Sequence, residues 1–305
     1  MEQTLRPHLG WRESALLLLV FGPLFYLLFV YGAPIPQDRG YHLFADARTC
    51  LGLPNFGNVA SNLLFLLVGA AGMLWCRRNT GMGARRSWMV FFFGVALVFF
   101  GSGYYHRAPS DDSLVWDRLP MTVAFMGLFA ALLSEHLSGR MENALLIGAV
   151  AIGIASVFLW KHTGDLRVYI WVQVMPLLVI PFLIAVFPCQ FTHRHYLLYG
   201  VGFYALAKVA EYYDYGTYSL TAGAISGHSV KHLLAAAAAF CVYLMLRRRR
   251  LLEVERRKAK VHVKYALPPF SFMSFVKSVF EQHKKRTEHF RLSTFDFRLA
   301  TGVIA

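Results

Sequence analysis

The chain has 305 residues, 56% of them hydrophobic and only 16% charged, yet 31 Lys and Arg against 17 Asp and Glu give a net charge of +14. A soluble domain carries about 25% charged residues, so an ordinary cytosolic enzyme, a disordered chain and a fibrous protein are excluded. A basic and apolar chain is either a nucleic-acid binder or a membrane protein, and the placement of its basic residues separates the two.

Eight apolar runs approach the roughly 20 residues that a membrane helix needs. In chain order they cover 14–31, 56–76, 88–106, 119–137, 144–160, 168–187, 196–212 and 228–246. The first is too long for a signal-peptide core and is expected to stay as an anchor. The fold class is therefore all-α, a polytopic membrane helix bundle. Cys50, Cys76, Cys189 and Cys241 are scattered, with no CxxC pair, and read as small packing residues rather than a disulfide framework.

Loop charge orients the bundle. Arg6 and Arg12, the Arg77/Arg78/Arg85/Arg86 loop, Arg140, Arg194 and Arg247–Arg250 alternate with loops poorer in Lys and Arg. Positive charge favours the cytoplasmic side. Both termini are then cytoplasmic, and loops 32–55, 107–118, 161–167 and 213–227 face the periplasm or lumen. A bacterial inner membrane is favoured, or an endomembrane in a eukaryote. After Arg247 the chain is strongly basic. Phe272, Phe275, Val276, Val279 and Phe280 follow at helical spacing, with Lys277, Lys284, Lys285 and Arg286 nearby. That pattern suits an amphipathic helix on anionic lipid, and a solubilising tail is the alternative. No nucleic-acid motif accompanies it.

Ionisable groups in membrane helices tend to mark function. His106 ends the third run, with Ser102 one turn earlier on the same face. Asp117 opens the fourth. His228 and His232 open the eighth. The topology puts all five at one membrane depth, on the outer side. A His-x₃-His pair shows two imidazoles on one helix face, and a third His completes a catalytic zinc set with one position open to water. A carboxylate and a hydroxyl beside it suit proton transfer and oxyanion stabilisation. Each residue alone has a bland explanation: an interfacial His, a Ser bonded to its own helix, an Asp favoured by the helix dipole. A proton relay or ion pathway stays open on these residues alone. Lower in rank are Lys208 and Glu211, read as an i, i+3 ion pair, and Asp214, read as support for the ligands. Asn58, Ser61 and Asn62 are read as interhelical hydrogen-bonders, and Glu135 and His136 as interfacial. His42 is a poor alternative ligand.

The set Ser102-x₃-His106, Asp117 and His228-x₃-His232 resembles the alkaline ceramidase family, part of a membrane hydrolase superfamily that includes adiponectin-type receptors. The stretch Asn55-Phe56-Gly57-Asn58-Val59-Ala60-Ser61-Asn62 resembles the start of that family's first core helix. The resemblance covers about residues 46–247. It implies a seven-helix core, with zinc on His106, His228 and His232, and Ser102 and Asp117 as the catalytic partners of water and oxyanion. The reaction implied is hydrolysis of a ceramide-like lipid amide to a sphingoid base and a fatty acid. A zinc-containing receptor or lipid-binding protein is the alternative, and a transporter or proton channel a more distant one. Three departures accompany the resemblance. An extra helix precedes the core. Asn55 stands where an acidic calcium ligand is expected, beside Asp46, which leaves calcium doubtful. Lys231 replaces an aromatic residue between the two histidines, and with the Tyr41–Asp46 stretch it points to the bacterial branch. The domain reading is an N-terminal helix and outer loop over 1–54, the core over 55–247, and a basic cytoplasmic tail over 248–305.

Overall fold

The computed structural model describes residues 10–253, and among these every regular element of length is helical, as expected. The proposed amphipathic segment around 272–286 lies outside the described residues. Seven helices are long and apolar enough to cross a membrane: Trp11–Tyr31, Phe56–Arg78, Arg85–Arg107, Asp111–His136, Gly139–Thr163, Arg167–Val186 and Gly227–Arg248. The run expected over 196–212 is helical too, but it carries Lys208 and Glu211 and falls outside that set. Large apolar side chains such as Leu18, Phe29 and Ile147 are about 70% exposed. Such faces are costly in water and suit a bilayer.

Helix α1 (Trp11–Phe25) contains Pro23 and passes into a π-helical stretch, Tyr26–Tyr31. Pro cannot complete the i→i−4 ladder, and the looser turn absorbs the mismatch. α1 packs on α7 (Arg167–Val186), with the Trp171 indole donating to the Val20 carbonyl at 2.6 Å. The second predicted run divides into α2 (Phe56–Ala60) and α3 (Leu63–Arg78). At the break the Ser61 hydroxyl and the Asn62 amide both donate to the Asn58 carbonyl. Asn62 therefore bonds its own chain segment rather than another helix. This is the usual competition of short polar side chains with the helix ladder.

Helix α4 (Arg85–Arg107) packs between α3 and α5 (Asp111–His136). α5 starts eight residues before the expected boundary at 119. Ser110 and Ser113 form a reciprocal cap there, and Asp111 and Asp112 suit the first turn. Asp117 therefore lies inside α5 instead of opening it. Hydropathy ended the run where the apolar residues ended, but capping extends the helix through polar turns.

Glycines bring α4 and α5 together. A Cβ on Gly94 would sit 2.5 Å from the Ala124 nitrogen, and one on Gly101 2.0 Å from the Trp116 carbonyl oxygen. Backbone cannot yield at that distance. Gly101→Ala is thus expected to push α4 from α5 beside Ser102 and Asp117, destabilising the protein by about 1–3 kcal/mol and lowering turnover. Gly103→Ala is the control, because its Cβ would meet only Val59 Cγ1, at 4.0 Å. Comparing the unfolding midpoints of the two variants in detergent checks this, and equal midpoints would refute it.

Helices α6 (Glu142–Thr163), α8 (His195–Tyr212) and α10 (Gly227–Arg248) complete the long elements. A short helix, α9 (Asp214–Leu220), fills the loop expected over 213–227. At the opposite end from the histidines, Glu135 accepts two bonds of 2.9 Å from Arg249 and one of 2.8 Å from the Trp88 indole. Its side chain is only 5% exposed, so Glu135 is a buried ion-pair partner at that end of the bundle. The partner residue lies 114 positions away, too far for any local pattern to register. Cys76 and Cys241 are buried, Cys189 is half-buried and Cys50 exposed, and all four are free thiols.

Candidate metal centre and lipid cavity

His106 comes from the last turn of α4, and His228 and His232 from the first turns of α10. All three are buried, at 1%, 4% and 3% exposure. One nitrogen from each lies within 4.8 Å of the other two. His228 and His232 are one turn apart on α10, so their rings share a face. The centroids of the three rings are separated by 4.8 to 5.0 Å.

The surroundings hold these rings in place. Asn55, in left-handed conformation at φ 51°, donates from Nδ2 to the His106 carbonyl at 2.8 Å. That satisfies an otherwise free acceptor at the end of α4. Asp214 accepts from the His228 amide at 2.7 Å and from the Ala45 amide at 2.9 Å. It thereby ties the start of α10 to the loop that carries Phe44. The loop then lays Phe44 edge-on against His106 and His228, at 4.7 and 4.6 Å between centroids. Phe44 is 8% exposed and shields the cluster on that side.

Ser61 and His232 Nδ1 are 2.8 Å apart, and the Ser61 hydroxyl also donates to the Asn58 carbonyl at 3.0 Å. A hydroxyl has one proton. Ser61 therefore accepts from His232 Nδ1–H, which leaves Nε2 as the ring's lone-pair nitrogen. Asn58 in turn accepts from the hydroxyls of Ser226 and Ser229 at the start of α10. Asn58 and Ser61 thus make the interhelical bonds expected of them.

A metal ion fits this arrangement. His106 Nε2 and His228 Nε2 face each other at 3.3 Å, and His106 Nδ1 has no hydrogen-bond partner. Two lone pairs do not approach so closely without a proton or a cation between them. Three imidazoles with no thiolate in the cluster are a donor set for borderline divalent ions. The other candidates behave differently. His42 bonds Tyr105 and Asp111 instead of joining the cluster. Asp46 accepts two bonds from the Arg48 guanidinium, at 2.8 and 2.7 Å. Those bonds hold its carboxyl below its ordinary value, and Arg48 supplies the cation at the position considered for calcium.

Beside the cluster lies a cavity of about 310 Å³ whose lining includes Ser102, Asp117 and His232. Ser102 and Asp117 are 1% and 5% exposed. The structure therefore brings together all five residues singled out in the sequence. It adds residues that the sequence pattern did not flag for this site: Gln37, Tyr41, Arg118, Tyr169 and Tyr204. Gln37 and Tyr41 come from the loop after α1, Tyr169 and Tyr204 from α7 and α8, and only Arg118, next to Asp117 on α5, adjoins a residue that the pattern singled out. Lys208 pairs with Glu211 as expected, and Lys231 joins them, its Nζ 2.6 Å from Glu211 and 3.5 Å from His228 Nε2. A second, apolar cavity of about 110 Å³ shares Phe65, Val98, Met121, Tyr204 and Ala235 with the first. The first, which holds the charged and hydroxyl side chains, is the polar chamber; the second, the apolar chamber, shares part of its wall and has a lining that suits a lipid chain.

Compared with known families, the ceramidase model matches residues 53–273, more than two thirds of the chain. The match includes every residue of the histidine cluster and leaves α1 outside it. No curated protein matches the chain.

Proposed function

Because the chain belongs to the ceramidase family, whose members hydrolyse the amide bond of ceramide, we propose that it is a zinc-dependent intramembrane amidase with its chemistry at His106, His228 and His232. The observation that carries this reading is the convergence of three buried imidazoles beside Ser102, Asp117 and a cavity that shares its wall with an apolar chamber.

The three histidines would hold zinc beside the cavity. Zinc bound there would acidify water and polarise a carbonyl. The remaining steps belong to the chain's own groups. The apolar chamber takes the acyl chain, which places the scissile amide in the polar chamber. The Asp117 carboxylate takes a proton from the attacking water and later delivers it to the leaving amine. The Ser102 hydroxyl donates to the amide oxygen as negative charge develops on it. A C–O bond forms, the C–N bond breaks, and the products are a fatty acid and a sphingoid-type base. Phe44 and its loop keep bulk water from the histidines.

In this reading both termini are cytoplasmic and the site lies toward the periplasm or lumen, as loop charge indicates. α1 precedes a seven-helix core that begins near residue 55, and the basic tail after 247 meets anionic lipid.

Metal analysis and turnover of a fluorescent ceramide on one purified sample test the proposal. Stripping the metal with a chelator should abolish turnover, and zinc should restore it. Turnover that persists without metal would refute the reading. The tautomer fixed by Ser61 yields a further expectation. Ser61→Ala removes the acceptor at His232 Nδ1 and should weaken metal affinity about 10–100-fold. Competition against a zinc-binding dye measures this, and an unchanged affinity would show that Ser61 does not orient the ligand.

A further inference from the structure

Arg118 takes no part in the reaction above, yet it is the most conspicuous charge in the cavity. It is 4% exposed and lines the polar chamber. Its guanidinium lies between two aromatic faces, 3.9 Å from the centroid of Trp160 and 4.6 Å from that of Tyr169. Nη2 donates to the Gln37 side-chain oxygen, and Nη1 has no hydrogen-bond partner. Among the described residues no carboxylate forms an ion pair with it.

A buried charge without an opposite charge is costly, and in membrane proteins such groups face a cavity and a ligand. Asp117, the adjacent residue, lines the same chamber and its charge acts on Arg118 at a distance, but the two form no ion pair. Glu211 is engaged by Lys208 and Lys231. Asp38 is exposed and accepts from the Gly40 amide. Asp117 is the proton acceptor of the proposed reaction. The aromatic stack and Gln37 fix the plane of the guanidinium and leave Nη1 without a partner. That fork matches the oxygens of a phosphate or a carboxylate.

We propose that Arg118 is the anion-binding subsite of the lipid cavity, receiving an anionic oxygen group carried by the lipid. The inference rests on the amidase reading of the same cavity. The group is either an acidic headgroup on the substrate or the carboxylate of the released fatty acid.

Equilibrium binding of radiolabelled dodecyl phosphate and dodecanoate to the full-length protein in detergent tests the subsite without requiring turnover. The wild type should bind at least one of them, and dodecanol should not compete. Arg118→Gln should weaken that binding about tenfold or more, the scale of a lost charge-assisted hydrogen bond. Arg118→Lys, which keeps the charge without the fork, should fall between. Arg118-dependent binding of dodecyl phosphate identifies the headgroup as the source. In that case the kcat/KM ratio for a phosphorylated over a neutral ceramide should also drop in Arg118→Gln. Binding of dodecanoate alone identifies the product as the source. Wild-type binding no better than that of dodecanol, or affinities unchanged in Arg118→Gln, would overturn the subsite. Absence of turnover on every lipid amide would instead overturn the amidase reading and leave the binding result to stand by itself.

Discussion

Replacing His106 with alanine should lower bound zinc from about one ion per chain to nearly none and cut lipid-amide turnover by at least about 10³-fold, the scale seen when one member of a cooperating catalytic set is lost. The reason is geometric. His228 and His232 sit on one helix and supply two ligands, while His106 comes from a different helix and is the only other histidine in the cluster among the described residues. A two-imidazole site has no third histidine to draw on, and of the nearby carboxylates Asp214 is committed to two backbone amides and Glu211 to two lysines. Size-exclusion profile and helical circular dichroism should stay close to wild type, since α4 keeps its contacts with α3 and α5. Metal content by mass spectrometry and turnover on one sample provide the check. A variant that retains stoichiometric zinc and activity would show that the cluster is not the metal site.

Asp117→Asn should behave differently: zinc stays bound and turnover falls about 10²–10⁴-fold, the contribution of a positioned general base. Asparagine has nearly the same shape and keeps a carbonyl oxygen, but it cannot take a proton from water. Asp117 lines the cavity and lies outside the histidine cluster. The two readouts should therefore separate in this variant, whereas they fall together in His106→Ala. Loss of zinc along with activity would make Asp117 a ligand. Turnover within about threefold of wild type would remove it from the proton-transfer role.

Much of the molecule is legible along the chain because its causes are local or periodic. Apolar runs of membrane length announce the helices, and a His-x₃-His spacing forces two rings onto one face whatever the neighbours do. The first deviations come where polar caps outrank hydropathy. α5 begins at Asp111 because Ser110 and Ser113 cap it, and the second run breaks where Asn58 collects bonds from Ser61 and Asn62. Such effects are local, but they leave no mark in an apolar count.

What the sequence alone determined is the all-helical fold with helices of membrane length, and it singled out Ser102, His106, Asp117, His228 and His232, which the alternating direction of the helices brings to one end of the bundle. Tertiary structure decided which other groups surround them. Ser61 reaches His232 across 171 residues, Tyr41 reaches Glu211 across 170, and Gln37 reaches Arg118 across 81. Trp160 and Tyr169 enclose Arg118 from two further helices. Contacts at such separations depend on how closely the helices approach, and that is set by glycines such as Gly94 and Gly101 against the opposite backbone. Neither periodicity nor composition encodes that distance, so only the folded bundle shows that a buried guanidinium without an ion-pair partner stands in the wall of the cavity beside the histidines.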